Sequence, residues 1–297
     1  MKKRQQRAEK RSSDSGEEGR KPRRILRILL FCAALLVFVY SGYRVLSQLL
    51  AERAGKEAYA SLDAYMQLEE PGGAEQDEMA GTFDTEMRAG AAGEKKSTDY
   101  PALLLDTAAL QKINPDFAAV LYVPALDLLY PAAYSSDNTE YLTTTFDGTA
   151  NPCGSLFVDC HASRDFSDLH NLIYGHNMKN GTMFGSLKKF LQDPTLVEQN
   201  PYFYLYTEDK VLRCRIYAYL TLPADDAIYS SEVKSKEDYD ALVEKLRSAS
   251  YYAPKEGEVD FSSRPDLITL STCYGTGHKD NFVTCGAVDA VFSRKTP

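Results

Sequence analysis

The stretch Asp266-Leu267-Ile268-Thr269-Leu270-Ser271-Thr272-Cys273-Tyr274-Gly275 puts a thiol where chemistry is accessible. Residues 267–270 are apolar or β-branched and lie between Pro265-Asp266 and a loop containing Gly275, Thr276 and Gly277, so they read as a short buried strand. Cys273 stands where that strand ends. A thiol there is open to a substrate while its backbone is held by a sheet. A lone cysteine is more often a core residue, and this stretch alone favours the core reading. A second stretch, Asn171-Leu172-Ile173-Tyr174-Gly175-His176-Asn177-Met178, shifts the balance. Among His161, His170, His176 and His278, only His176 directly follows an apolar run. A thiol and an imidazole at the ends of separate strands are the halves of a nucleophile–base pair, which must meet in space but not in sequence. The chemistry is attack of a thiolate on an amide carbonyl, protonation of the leaving amine by imidazolium, and a thioester on sulfur. Water as the acceptor makes a protease; an amine makes a transpeptidase.

The elements that must position these groups are mostly strands. Candidates fall at 118–123, 126–130, 155–158, 171–174, 203–206, 211–221, 267–272 and 282–292, separated by turns rich in Asp, Asn, Gly and Pro. Many short strands with few helices indicate an all-β barrel or sandwich. Helices are expected over Tyr100 to Leu110, ended by Asn114-Pro115, over Thr182 to Leu191, and over Ser235 to Ser248, where Ser235 and Asp238 form a loose capping box.

In order, Asn114-Pro115-Asp116-Phe117, GSLFVD at 154–159, DFSDLHNLIYGHNM at 165–178, GTMFGSLKKF at 181–190, TLSTC at 269–273 and the C-terminal FVTCGAV resemble the sortases, and class B in particular. The resemblance covers roughly residues 112 to 292. It implies a closed eight-stranded sortase-type β-barrel, mainly β, with a helix between the strands bearing His and Cys. It also implies a Gram-positive cysteine transpeptidase that cleaves a C-terminal sorting signal on secreted proteins and passes the thioester to a peptidoglycan or pilin amine. In that reading Cys273 is the nucleophile and His176 the acid/base. Substrate contacts implied by the resemblance are Ile228 and Tyr229 in LPADDAIYSS at 222–231, with Tyr174 and Ser271 flanking the catalytic residues. The family carries an arginine just before its last strand; this chain has Asn281 there, a donor without charge, with Lys279, His278 or Arg294 as nearby substitutes. Asp165 and Asp168 are candidates to orient His176, with a turn or capping role weighed above it. Two rival functions are a catalytically weak sortase-like binding or assembly scaffold, motivated by Asn281, and a secreted cysteine hydrolase.

The 297-residue chain has 44% hydrophobic residues, enough for one good-sized core. Its net charge of −8 conceals a basic start, with ten Lys or Arg against four acidic residues in positions 1–24. The run 28–43, ILLFCAALLVFVYSGY, is uncharged and closed by Arg27 and Arg44. As a helix it is about 24 Å long, and flanking Leu26, Val45 and Leu46 with snorkelling arginines extend it toward a ~30 Å hydrocarbon core. An uncleaved anchor is favoured over a signal peptide, because the run is long for an h-region and no small-x-small site follows. Lys21, Arg23, Arg24 and Arg27 place the amino terminus in the cytoplasm and the remainder outside. The expected organisation is therefore a single-pass cell-membrane protein. It has a cytoplasmic basic tail (1–24), a transmembrane signal-anchor helix (25–46), a stalk and flexible linker (47–97) and an extracellular catalytic domain (98–297). Helical composition in Val45 to Leu68 suits the stalk; Gly, Ala and acidic residues from Glu69 to Ser97 suit the linker.

Of the other cysteines, Cys32 lies in the apolar run, and Cys214 and Cys285 alternate into strands as core residues. Cys153 and Cys160 bracket a strand, too far apart along it to bridge readily. No CxxC or HxxH spacing suggests zinc and no Gly-rich phosphate loop occurs, so neither metal nor cofactor is expected. The acidic ectodomain argues against nucleic acid.

Overall fold

A computed structural model describes residues 20–68, 100–230, 233–275, 277 and 279–294, with side chains from Leu26 onward. Most of the basic tail and of the Glu69–Ser97 linker, with Thr276 and His278, lies outside the described residues. The chain divides into two units, Met1–Arg53 and Ala54–Pro297. In the first, the described residues belong to helix α1 (Arg20–Ala60). It is long and apolar enough to cross a membrane, and its most apolar window is wholly exposed.

The second unit begins well before the expected boundary at 98. Tyr59, Leu62 and Met66 are buried in its core, and β1 (Met66–Leu68) pairs antiparallel with β2 (Leu103–Leu105). A helix was expected over Tyr100–Leu110, but the Leu103-Leu104-Leu105 run pairs as a strand. Asp106 then accepts the backbone N–H of Ala109 and starts α2 (Thr107–Ile113) afresh.

The eight remaining strands are β3 (Phe117–Val123), β4 (Leu128–Tyr134), β5 (Leu156–Val158), β6 (His170–Tyr174), β7 (Tyr202–Tyr206), β8 (Lys210–Pro223), β9 (Leu267–Tyr274) and β10 (Asp280–Ser293). They close a barrel in the order β10-β8-β7-β3-β4-β5-β6-β9. All pairs are antiparallel except β4 with β5 and β6 with β9. Closure leaves no strand edge exposed. Instead of one helix over Thr182–Leu191 there is a 3₁₀ turn (Phe184–Ser186) and the short α3 (Lys189–Gln192), followed by α4 (Thr195–Gln199). Met183, at φ 51°, breaks the segment before it can become helical.

Why Leu267–Leu270 is continuously apolar is clear from what lies on each side. Ile268 and Leu270 point into the barrel core, whereas Leu267 joins a second cluster outside it with Val283, Cys285 and Ala287. That cluster is covered by α5 (Lys236–Ser248), which turns Tyr239, Leu242, Val243 and Leu246 onto it at helical spacing. Ser235 and Asp238 form the anticipated reciprocal capping box at its start. Burying those four side chains is worth roughly 6–12 kcal/mol as an upper bound.

His170 opens β6 with Nε2 3.0 Å from Thr269 Oγ1. Burial pushes its imidazole down to about 4. The folded state therefore binds this proton less readily than the unfolded chain. The penalty is absent above about pH 6.5 and grows as pH falls toward 4. Denaturant titration should show wild type losing on the order of 2 kcal/mol more than His170→Gln between pH 7 and pH 5; parallel pH profiles would show that His170 is not held neutral by burial.

Candidate active site

The parallel ladder between β6 and β9 pairs His170 with Leu267, Leu172 with Thr269 and Tyr174 with Ser271, a constant offset of 97 residues. The Gly175 N–H donates to the Ser271 carbonyl at 3.1 Å and carries the pairing one step further. The ladder ends there; His176 follows two residues beyond Tyr174 and Cys273 two residues beyond Ser271, on backbones about 4.8 Å apart where they pair. In a strand, alternate residues share a face, so Ser271 and Cys273 lie on one side of β9, the side on which Tyr174 of β6 pairs with Ser271.

Two glycines let His176 sit there. A Cβ at Gly175 would lie 2.4 Å from Leu156 Cδ2 and 2.7 Å from a Phe184 ring carbon, so the backbone passes these core side chains at a distance no other residue tolerates. Gly154 adopts φ +57°, and a Cβ on it would lie 2.9 Å from His176 Cδ2 and 2.5 Å from the Tyr141 carbonyl. His176 is half-exposed, and its Nε2 lies 2.7 Å from the carbonyl oxygen of Leu142. A carbonyl only accepts, so Nε2 carries a proton, and Nδ1 is the nitrogen left to exchange one. This backbone carbonyl, rather than a carboxylate, orients the ring. Asp168 instead accepts the Ser163 N–H and Asp165 the Ser167 N–H, both turn contacts.

Cys273 is the penultimate residue of β9 and half-buried. Burial pushes its thiol above the usual range, opposed by its own backbone N–H. Its carbonyl accepts the side-chain amide of Asn177 at 2.6 Å. This clamp ties the chain just after His176 to the residue bearing the sulfur, and nothing in the local pattern of the sequence signals it.

Asn281 pairs directly with Cys273 across β9 and β10, and with Leu222 on β8. Beside it lies Tyr229 on a 3₁₀ turn (Ala227–Tyr229), with its hydroxyl 3.0 Å from Ser271 Oγ. Burial raises the Tyr229 phenol, while hydrogen bonds from Ser271 and Asn281 oppose the rise. The Tyr229 ring packs 6.2 Å from that of Tyr174, which donates at 2.6 Å to Asp159. Asp226 caps the turn and is held in turn by Lys245 of α5. Ile228 does not face the same way; it is buried in the second cluster, so its side chain packs beneath the turn rather than lining a groove. Arg294 cannot stand in for the missing arginine. It follows the far end of β10, where it donates to the carbonyls of Thr207 and Leu105. Lys279 is exposed two residues before Asn281.

The barrel recurs in known proteins. The chain is 32% identical over 164 residues to sortase B of Listeria monocytogenes, a match covering 55% of this chain and 65% of that protein. The solved Listeria sortase B is 30% identical, with a TM-score of 0.54 over 62% of this chain and all of that one. The chain belongs to the class B sortases. Sortase B of Clostridium perfringens is similar as well, 26% identical with a TM-score of 0.56, over 64% of this chain and all of its own. The chain thus spans just under two-thirds of the full Listeria sequence it matches. No family model matches it. The closed eight-stranded barrel and the helix between β6 and β9 agree with the expected class.

The Asn177 clamp has a measurable consequence. Removing a hydrogen bond that fixes the Cys273 backbone forfeits about 1–1.5 kcal/mol of positioning. Asn177→Ala should lower turnover of a peptide substrate about tenfold while the melting curve stays cooperative. Unchanged turnover would show that β9 positions the thiol without help.

Proposed function

We propose that this chain is a membrane-anchored cysteine transpeptidase, with Cys273 as nucleophile and His176 as acid/base. It would act on a C-terminal sorting signal of secreted proteins and transfer them to a peptidoglycan or pilin amine. The observation that supports the reading is the β6–β9 register in a sortase barrel, whose last pair, Tyr174 with Ser271, lies two residues before His176 on one strand and two before Cys273 on the other. In this reading α1 anchors the chain, with residues 1–24 cytoplasmic, 25–46 in the bilayer and the barrel outside. The exposed apolar helix, one such helix among the described residues, and the basic tail before it support that topology.

The steps follow from the groups present. His176 Nδ1 takes the thiol proton, and the thiolate adds to the scissile carbonyl. The tetrahedral intermediate collapses by expelling the amine, which receives the proton from Nδ1, and leaves a thioester on Cys273. An incoming amine then gives its proton to Nδ1, attacks the thioester and releases the thiolate. The Leu142 carbonyl holds the ring throughout. At ordinary values a Cys is about 3% ionised and a His about 25% protonated at pH 7, so fewer than ~1% of molecules hold both charges by chance. The burial of Cys273 lowers that fraction further. Asn281 and Tyr229, beside the sulfur and joined to one another, would supply neutral donors for the substrate carbonyl. Tyr174 and Ser271 would support them from beneath.

A second reading has one observation in its favour. With Asn281 in place of the family arginine and a thiol raised by burial, the barrel would serve as a weakly catalytic binding or assembly scaffold. A substrate-like peptide that traps the thioester separates the two readings by mass spectrometry. The enzyme reading expects an adduct on Cys273, abolished in Cys273→Ala and His176→Ala while both variants melt like wild type. Absence of adduct in folded wild type favours the scaffold. Added amine should outcompete water for the thioester; the reverse marks a hydrolase. Loss of one oxyanion donor commonly costs ~10²–10³ in rate. Asn281→Arg should therefore raise kcat/KM, by at least about tenfold if the arginine's donor and charge are what the chain lacks; no gain would mean that Tyr229 and Asn281 already supply that stabilisation.

A further inference from the structure

Away from the Cys273 sulfur, at the turn leaving β5, three consecutive side chains of different ligand type converge. A carboxylate oxygen of Asp159, Cys160 Sγ and a ring nitrogen of His161 all lie within 4.8 Å of one another. The turn is closed by the Ala162 N–H donating to the Asp159 carbonyl at 3.0 Å, so the three residues splay from one tight bend. Sγ lies 3.5 Å from Nδ1, and Nδ1 lies 2.9 Å from Oδ1. Both contacts use the same ring nitrogen, which rules out a relay in which one nitrogen faces the thiol and the other the carboxylate. Three donors pointing at one space suit a different purpose.

A tetrahedral ion with bonds of about 2.3 Å to sulfur, 2.0 Å to nitrogen and 2.1 Å to oxygen sets its S···N edge near 3.6 Å and its N···O edge near 3.4 Å. The observed S···N separation already matches, and the N···O pair must open by about 0.5 Å as a metal replaces the hydrogen bond. The carboxylate is prepared for this. Asp159 is buried, its Oδ2 accepting the Tyr174 hydroxyl at 2.6 Å and the Asn138 amide at 3.2 Å, and Oδ1 accepting the His161 N–H at 2.8 Å. Asn138 also accepts the Cys160 N–H at 2.9 Å, fixing the turn from its other side. Such outer contacts are what orients a ligating carboxylate. The His161 side chain is 73% exposed, which leaves an entry path and a solvent side for a fourth ligand.

We propose that the Asp159-Cys160-His161 turn binds one Zn²⁺ ion through Oδ1, Sγ and Nδ1, with water in the fourth position. A mixed thiolate, imidazole and carboxylate set in near-tetrahedral geometry selects zinc over Ca²⁺ or Mg²⁺, which take oxygen ligands in larger number. The ion shares Asp159 with Tyr174, whose strand β6 leads directly into Gly175 and His176, so the site would brace the strand that bears the imidazole. The proposal stands whether or not the chain is a transpeptidase.

The test uses the full chain in detergent, stripped of metal, in a Cys32→Ser, Cys273→Ala background that removes the other thiols that are not buried. Zn²⁺ uptake is measured by competition with a chromophoric chelator, and Co²⁺ is loaded in parallel for its thiolate-to-metal absorption. One ion per chain is expected, bound more tightly than about 10 μM. Loss of an outer contact alone costs 10–100-fold in metal affinity, so His161→Ala and Cys160→Ser should each weaken uptake by at least about tenfold. Cys160→Ser should also abolish the Co²⁺–thiolate band, a signature that a merely structural residue would leave in place. Uptake that is not stoichiometric, or that neither substitution changes, overturns the proposal.

Discussion

The end of this barrel that carries His176 and Cys273 depends on one pairing, the parallel ladder between β6 and β9. Parallel neighbours cannot be joined by a hairpin, and here the connection holds β7, β8 and α5. Because β5 flanks β6 and β10 flanks β9 inside a closed barrel, neither strand is free to slide. A slip of a single residue would turn Ser271 and Cys273 to the opposite face and exchange the residues that fill the core with those that fill the cluster under α5. The register is thus protected by two hydrophobic clusters at once, and the pairing of Tyr174 with Ser271, two residues before His176 and Cys273, is a by-product of packing. Such long-range pairing is also slow to form, since its loop must close before any contact repays the entropy.

Local pattern made the strands legible, because each is an apolar run bounded by turn formers. All eight barrel strands fall where they were expected, with shifts at the ends. The largest shift is at β4, expected over 126–130 and found over Leu128–Tyr134. There a 3₁₀ turn at Pro124–Leu126 takes the apolar start, and Pro131 within the strand hides its continuation. The small sheet of β1 and β2 was not legible, since its strands are three residues each and come from segments far apart in sequence. His176 and Cys273 were visible as strand-end residues, but the details that shape them were not. The Leu142 carbonyl, the Asn177 clamp and the steric need for Gly154 are all tertiary contacts, and no spacing along the chain encodes them.

The same limit explains the substrate residues. LPADDAIYSS reads as one exposed loop, yet its residues divide by direction. Asp226 caps the turn, Ile228 goes down into the cluster beneath α5, and Tyr229 turns toward Ser271 and Asn281. A two-residue resemblance assigned both neighbours to the groove. The cap at Asp226 sets the direction of each, and the ion pair to Lys245 fixes the cap to the helix.

The electrostatics around Cys273 then constrain any chemistry it does. Burial holds the thiol protonated, and its cross-strand neighbour is a neutral amide where the family places a cation. A fixed positive charge would lower the cost of thiolate and oxyanion together; an amide dipole and a phenol hydroxyl act mainly on the oxyanion, which forms only when substrate is bound. The sulfur is consequently little activated at rest, which protects the thiol from oxidation in the absence of substrate, because oxidants attack the thiolate. In the proposed reaction the demand would move to His176, and the carbonyl of Leu142, which orients its ring, and the clearance at Gly154, which admits the ring, would matter more than they would beside a cation.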